Sequence, residues 1–312
     1  MRRKIILVAF VLLAFTGSYL GKKAMHEFDR VICDFNFITC QKDHNSEEYR
    51  RIVSLAPSIT EILFALGMED RIAAVTRYCD FPTAARSKPG VGGYYDPNYE
   101  SIVTLCPDLV IMLDGHEGPR RYLPELGLNT LIVNHKGVAG ILNSITVIGE
   151  ACGVGTKAES IVHDLRLRMK RVRQKTQGLP RPKVIISVEK NIESGTLKDV
   201  CISGREKFYN EMITLAGGVN AYSGDVAFPI VSREGIVQMN PEVIIEIIPD
   251  RDEKDLNQAT TSNEWAGLSQ VDAVRKGRIY AFREDYAVTP GPRFILILEK
   301  MTRSIHPEVD WK

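Results

Sequence analysis

The 312-residue sequence predicts an α/β fold of two Rossmann-like lobes with mostly parallel sheets, joined by one long α-helix. Three observations lead there. Short apolar runs alternate with helical patterns, which is how parallel sheets covered by helices read in a sequence. The segment 100–113, ESIVTLCPDLVIML, recurs without a gap as 234–247, EGIVQMNPEVIIEI. A repeat spacing of about 130 to 150 residues is far too long for a solenoid unit and fits two similar domains related by a pseudo-two-fold. Between the copies lies a single uninterrupted helical pattern.

The chain begins Met1-Arg2-Arg3-Lys4, followed by eleven apolar residues from Ile5 to Phe15. A basic start and a short apolar run mark an export segment over residues 1–21. A membrane-spanning helix needs about twenty apolar residues, so this run serves either as a cleaved signal peptide or, extended through Leu20, as an N-terminal anchor. Lys22 and Lys23 close it, and residues 22–50 read as a polar tether.

The first lobe is expected over 51–155. Arg51–Leu55 reads as a strand, and Pro57, Ser58 and Glu61 then open a helix with Ser58 and Glu61 at capping-box spacing. Ile62, Leu63, Ala65 and Leu66 carry its apolar face until Gly67 stops it. Further strands are expected at 72–76, 109–113 and 130–133. The bridging helix is expected over 156–178, with Thr156 and Glu159 as a second capping box and Ala158, Ile161, Val162, Leu165, Met169 and Val172 at helical spacing. From Lys157 to Lys175 it spans on the order of 28 Å. Gly178, Pro180 and Pro182 end it. Its basic residues, Arg166, Arg168, Lys170, Arg171, Arg173 and Lys175, read as a solvated face. The second lobe, 179–312, echoes the first: Ile185–Ser187 answers Ile52–Ser54, and Asn210–Gly217 answers Thr60–Gly67.

A formal net charge of +1 with mixed signs excludes the electrostatic footprint of a nucleic-acid binder. The six cysteines form no CxxC pair, and no histidines stand at zinc-finger spacing, so no structural metal site is expected. Export permits disulfides, and Cys33 and Cys40 are spaced to close a small loop. Cys79, Cys106, Cys152 and Cys201 read as buried small hydrophobes. The motifs GxSxG, GxGxxG after a strand, the Walker lysine and HExxH are all absent, which argues against an enzyme. His116 and His135 are the histidines within the first lobe. A surface-loop position is the expectation for both, with axial metal ligation as the alternative.

Two lobes on a stiff strut leave a cleft beyond their strand ends, a common place for a ligand. The loops expected to line it carry Ala56-Pro57-Ser58, Arg77 to Pro82 and Gly92 to Pro97 in the first lobe. The second lobe supplies Ser203-Gly204-Arg205, Ala227-Phe228-Pro229 and Arg283 to Tyr286. Aromatic and polar groups of this kind suit a broad, partly flat ligand.

With those residues in view, the chain resembles the substrate-binding proteins of cobalamin and ferric-siderophore ABC importers over nearly all of 51–305. The marks are RIVSLAPSITEILFALG at 51–67, YCDFP at 78–82, VGG at 91–93, NYESIV at 98–103, PDLV at 107–110, VSRE at 231–234 and PGPR at 290–293. The resemblance implies two α/β lobes spanned by one helix, no intrinsic cofactor, an exported monomer at the periplasmic or outer face of the cytoplasmic membrane, and an ABC permease dimer with its ATPase as partner. It assigns permease docking to Glu100 and Glu234, which the internal repeat pairs independently; local helix capping is the alternative role. Glu61 and Glu211 also correspond by repeat and are read as structural. The family's cobalamin pocket maps onto Tyr78, Tyr94, Phe228, Asp285 and Arg293, with Ser203 and Gly204 on the adjoining loop. The family's pocket tryptophans have no counterpart: Leu113, Tyr94 and Phe228 stand there, while Trp265 and Trp311 lie elsewhere. Tyr and Phe can still stack on a flat macrocycle, so a corrinoid stays the first expected ligand, although the substitution leaves others open. A ferric siderophore, for which Arg77, Arg205, Arg283 and Arg293 would supply charge, or haem, is the alternative.

Overall fold

The computed structural model describes residues 48–193, 196–248 and 264–311. The export segment, the tether before residue 48 and the Cys33–Cys40 pairing lie outside the described residues. In the first lobe, β1 (Ile52–Ser54), β2 (Ile72–Val75), β3 (Leu109–Leu113) and β4 (Thr130–Val133) form a sheet in the order β2-β1-β3-β4. Every pairing in it is parallel. Its central strands are buried along their whole length, hence the continuous apolar runs in place of alternation. Helices α1 (Pro57–Ala65), α2 (Tyr99–Thr104), α3 (Glu117–Glu125) and α4 (Gly137–Ala151) connect and cover the strands.

Helix α5, Gly155–Thr176, runs for 22 residues, about 33 Å at 1.5 Å per residue. It starts without a side-chain cap, at N-cap Val154, so the expected Thr156/Glu159 capping box does not form. The Ser58/Glu61 box is likewise absent, because Pro57 presets the first helical turn from N-cap Ala56 and the Glu61 carboxylate is used elsewhere. Helices α4 and α5 meet closely where Gly149 faces Ala158: a Cβ on Gly149 would lie 2.3 Å from the Ala158 Cβ.

The second lobe comprises β5 (Lys183–Glu193), β6 (Thr196–Ile202), α6 (Lys207–Leu215), β7 (Val219–Asn220), β8 (Ile230–Ser232), α7 (Arg233–Met239), β9 (Val243–Ile247), α8 (Asp272–Arg275), β10 (Ile279–Phe282) and α9 (Phe294–Ile305). The sheet order is β10-β9-β5-β6-β8, with β7 also on β5. Strands β10, β9, β5 and β7 pair in parallel, whereas β6 runs antiparallel to both β5 and β8.

The internal repeat is realised in backbone detail. Soon after α2 and α7 the chain passes through a residue in the left-handed region, Cys106 at φ 44° and Asn240 at φ 42°, then a proline and a buried strand. Gly67 and Gly217, after α1 and α6, share the same left-handed turn at φ 75° and 86°, which glycine adopts without a Cβ penalty.

Each sheet has its own outer apolar cluster, one around Val53, Val110 and Leu123, the other around Ile185, Trp265 and Ile279. The remaining apolar side chains form one core that crosses from lobe to lobe through Ile141 and Ile145 of α4, Val162 and Leu165 of α5, Met212 of α6, and Phe294 and Leu298 of α9. Arg168 of α5 is clamped to Glu299 of α9 by two bonds of 2.9 Å, tying the strut to the second lobe. The two lobes are thus joined behind the cleft by continuous apolar packing, not only by a strut.

Among the described cysteines, Cys79, Cys152 and Cys201 are free thiols and Cys106 is disulfide-bonded. Cys106 therefore departs from the buried-hydrophobe expectation: it is only half-buried, on the turn after α2, where a thiol can reach a second cysteine. Burial pushes the Cys152 thiol up to about 11, so it stays protonated and inert.

Candidate binding cleft

The first turns of α1 and the residues following β2 and β10 meet across the boundary between the lobes. They enclose a cavity of about 370 Å³ lined by Pro57, Glu61, Tyr78, Phe81 and Arg86 from the first lobe and Arg283, Glu284, Asp285 and Val288 from the second. Its rim is aromatic, with Tyr78 50 % and Phe81 42 % exposed. Tyr78 holds a left-handed backbone at φ 73°, rare for a bulky residue, in the turn that follows β2.

Arg293 crosses this boundary. Its guanidinium donates to Glu61 from Nε at 3.0 Å and Nη2 at 2.5 Å, and to Asp285 from Nη1 and Nη2, both at 2.8 Å. The guanidinium carbon stands 3.6 Å from the centre of the Phe81 ring. Burial works against the Arg293 charge, but the two carboxylates outweigh it and raise its pKa. Burial also pushes the Glu61 carboxyl up, opposed by the Arg293 hydrogen bonds. At Asp285 the bond from Arg293 prevails and lowers the pKa. The bidentate geometry is that of a charge-assisted pair, so Arg293 is committed to protein carboxylates.

The expected ligand contacts are scattered. Tyr78 and Asp285 line the cavity, and Arg293 abuts it through Glu61 and Asp285. Tyr94 is half-buried on the first lobe, with its ring centre 4.3 Å from that of His116 and 4.7 Å from that of Tyr95. Phe228 is 45 % exposed on the loop before β8 and is not part of the cavity wall. Ser203 and Gly204, expected among the ligand contacts, are buried. Asn220 Nδ2 bonds both their carbonyls, and a Cβ on Gly204 would lie 2.3 Å from the Val226 carbonyl oxygen, so this turn is closed over by its own loop. Of the arginines considered for an anionic ligand, Arg283 lines the cavity, Arg77 lies in an adjacent depression, and Arg205 faces exposed Asp225 at 3.2 Å.

The histidine expectation is also corrected. His116 and His135 are buried beneath the loops that follow β3 and β4, not on the surface. His135 Nδ1 is 2.8 Å from the Ser58 hydroxyl, and burial drives its pKa down to about 4. Burial lowers that of His116 too. Both rings are neutral at pH 7, and no group of three or more metal-ligating side chains occurs among the described residues.

Glu100 and Glu234 occupy the second position of α2 and α7, and both are exposed. The two helices are capped alike: the Asn98 side chain accepts from Ser101 N at 2.9 Å, and the Ser232 hydroxyl from Gly235 N at 3.4 Å. A hydrogen bond with Ser232 holds the Glu234 carboxyl below its ordinary range.

The sequence reading placed Phe81 on a cleft loop, but missed Arg86 as a cavity residue and Glu61 as more than structural. Glu61 was visible through its repeat partner Glu211, but nothing local signals a partner 232 residues away.

A family model described as "Periplasmic binding protein" matches residues 52–286. An uncharacterized ABC transporter substrate-binding lipoprotein, YvrC, of Bacillus subtilis is 29% identical over 272 residues, covering 84% of this chain and 82% of its own. The crystal structure of the periplasmic vitamin B12 binding protein BtuF of Vibrio cholerae superposes with a TM-score of 0.70 at 25% identity, covering 83% of this chain and 97% of that one. The apo periplasmic heme-binding protein RhuT from Roseiflexus sp. RS-1 gives 0.69 at 24% identity, covering 83% and 98%.

Proposed function

This chain belongs to the periplasmic binding protein family, and from that premise we propose that it captures a corrinoid in the interlobe cleft and delivers it to its permease. It is the substrate-binding component of an ABC importer, a solute carrier and not an enzyme. It works outside the cytoplasm, and a permease and an ATPase are its partners. Among the described residues no helix is long and apolar enough to cross a membrane.

The observation that carries the corrinoid reading is the aromatic rim of the cleft. Tyr78 and Phe81 leave aromatic surface exposed beside a polar cavity, a combination suited to stacking on a macrocycle while a few hydrogen bonds orient it. At about 370 Å³ the cavity is near the small end for a ligand site, so a macrocycle with peripheral amides lies across its mouth with one edge inserted. The vitamin B12 ligand of the Vibrio cholerae relative supports the same reading.

A second reading, an anionic ferric chelate, is favoured by one feature. Arg283 lines the cavity beside Arg86, and its Nη2 is buried with no hydrogen-bond partner among the described residues. A carboxylate or catecholate oxygen would satisfy it. Glu100 and Glu234, exposed at equivalent helix starts, are the proposed contacts to basic pockets on the permease.

Calorimetric titration of the full chain with cyanocobalamin, haemin and ferric citrate separates these readings. The corrinoid reading expects one-to-one binding of cyanocobalamin at about 1 μM or tighter, equivalent to roughly 8 kcal/mol. No heat with cyanocobalamin but saturable binding of ferric citrate or haemin would sink it.

A further inference from the structure

Glu61 and Glu211 stand at the fifth position of α1 and α6, the equivalent helices of the two lobes. Each carboxylate leaves its own lobe and reaches the N-terminus of the other lobe's last helix. Glu61 accepts two hydrogen bonds from Arg293, the N-cap residue of α9. Glu211 Oε2 accepts from the Val138 N–H in the first turn of α4, at 2.8 Å. The approach is close on both sides. A Cβ on Gly291 would lie 3.1 Å from a Glu61 oxygen, and one on Gly137 would lie 2.6 Å from a Glu211 oxygen. A carboxylate beside a helix N-terminus is favoured by the helix dipole, and here the same device is used twice, from equivalent positions of equivalent helices.

We propose that Glu61 and Glu211 are paired interlobe clasps that hold the cleft at one width, and with it the spacing of Glu100 and Glu234, before any ligand arrives. The shared apolar core joins the lobes behind the cleft, but apolar packing is non-directional and by itself permits rocking. Two charge-assisted contacts at separate helix ends remove that freedom. The Glu61 clasp also positions Arg293 between Asp285 and Phe81 at the cavity wall, so it shapes the site that a ligand meets. Only the consequence for ligand capture rests on the function proposed above; the clasps themselves are a property of the unliganded protein.

The test is a distance measurement without ligand. Nitroxide labels are attached to genetically encoded ketone side chains at positions 100 and 234 of the full chain, and the distance distribution is read by double electron–electron resonance. The parent should give a single narrow peak, and Glu61→Ala with Glu211→Ala should at least double its width. Glu211→Gln keeps an acceptor for the Val138 N–H and should stay narrow where Glu211→Ala alone broadens. An unchanged width in the double alanine variant overturns the proposal, as does equal broadening by Glu211→Gln and Glu211→Ala. If the double variant does not fold, the single Glu211→Ala and Glu211→Gln pair decides by the same criteria. Because no ligand is added, this result stands or falls separately from the titration with cyanocobalamin.

Discussion

The two lobes use one plan with different margins. In both, a helix capped at its start and followed by a left-handed residue and a proline leads into a fully buried strand. The first lobe completes its sheet with parallel strands alone, whereas the second adds β6 and β8 in antiparallel pairing at one edge. At the lobe boundary the first lobe sends Glu61 to a guanidinium, and the second sends Glu211 to a backbone amide. What repeats is what each lobe needs to bury its own sheet. What differs is where a lobe meets its neighbour, the solvent or a ligand.

The sharpest way to break that equivalence is at the docking glutamates. Glu100→Ala combined with Glu234→Ala should abolish uptake in a reconstituted transporter while leaving ligand affinity unchanged. If both lobes dock alike, the single variants should each lower uptake to a similar degree. Full uptake by the double variant would refute the docking role.

A second comparison is set by acid. Two residues beyond β4 stands His135, and two beyond β10 stands Glu284. The folded pKa of His135, about 4, lies below its ordinary value of 6.5, so the unfolded chain takes up a proton first. Its contribution is complete above pH 6.5 and is lost as the pH falls towards 4, about 3 kcal/mol in all. At Glu284, burial opposes the charge but the Lys300 hydrogen bond prevails and lowers the pKa, so its contribution is lost only as the pH falls below 4.5. Denaturant titrations across pH should show the His135→Gln variant with a flatter slope between pH 6.5 and 4, and Glu284→Gln with a change confined to more acidic conditions. An unchanged slope for His135→Gln would contradict the assignment.

The smallest difference lies in the caps. Asn98→Ala and Ser232→Ala should each cost roughly 1 kcal/mol in thermal or chemical unfolding. Asn98→Ala should cost more, because its cap bond is 2.9 Å against 3.4 Å at Ser232. The reverse order would show that the caps are not ranked by these distances.

Much of the fold was legible because its causes are local. The alternation of apolar runs with helical periodicity, the stop glycines 67 and 217, and the repeat around Glu100 and Glu234 each act over a few residues, and each appears in the structure. The site was less legible. Tyr78 and Asp285, expected from loop position and resemblance, line the cavity, whereas Ser203 and Gly204 sit in a loop of the expected kind that folds back over itself. His116 and His135 are polar residues in turns, which sequence reads as exposed, yet the packing of Tyr94 and Ser58 against them encloses both rings.

By itself, then, the sequence determined two α/β lobes related by a repeat, the places where helices stop, and the equivalence of Glu100 with Glu234 and of Glu61 with Glu211. Periodicity and turn chemistry are written in neighbouring residues, so no tertiary knowledge is needed to read them. Only the tertiary structure decided that Arg293 is claimed by Glu61 and Asp285, that one core runs through both lobes, and that Cys106 is disulfide-bonded. Those outcomes depend on side chains brought together from distant parts of the chain, where burial and charge select partners that leave no local pattern.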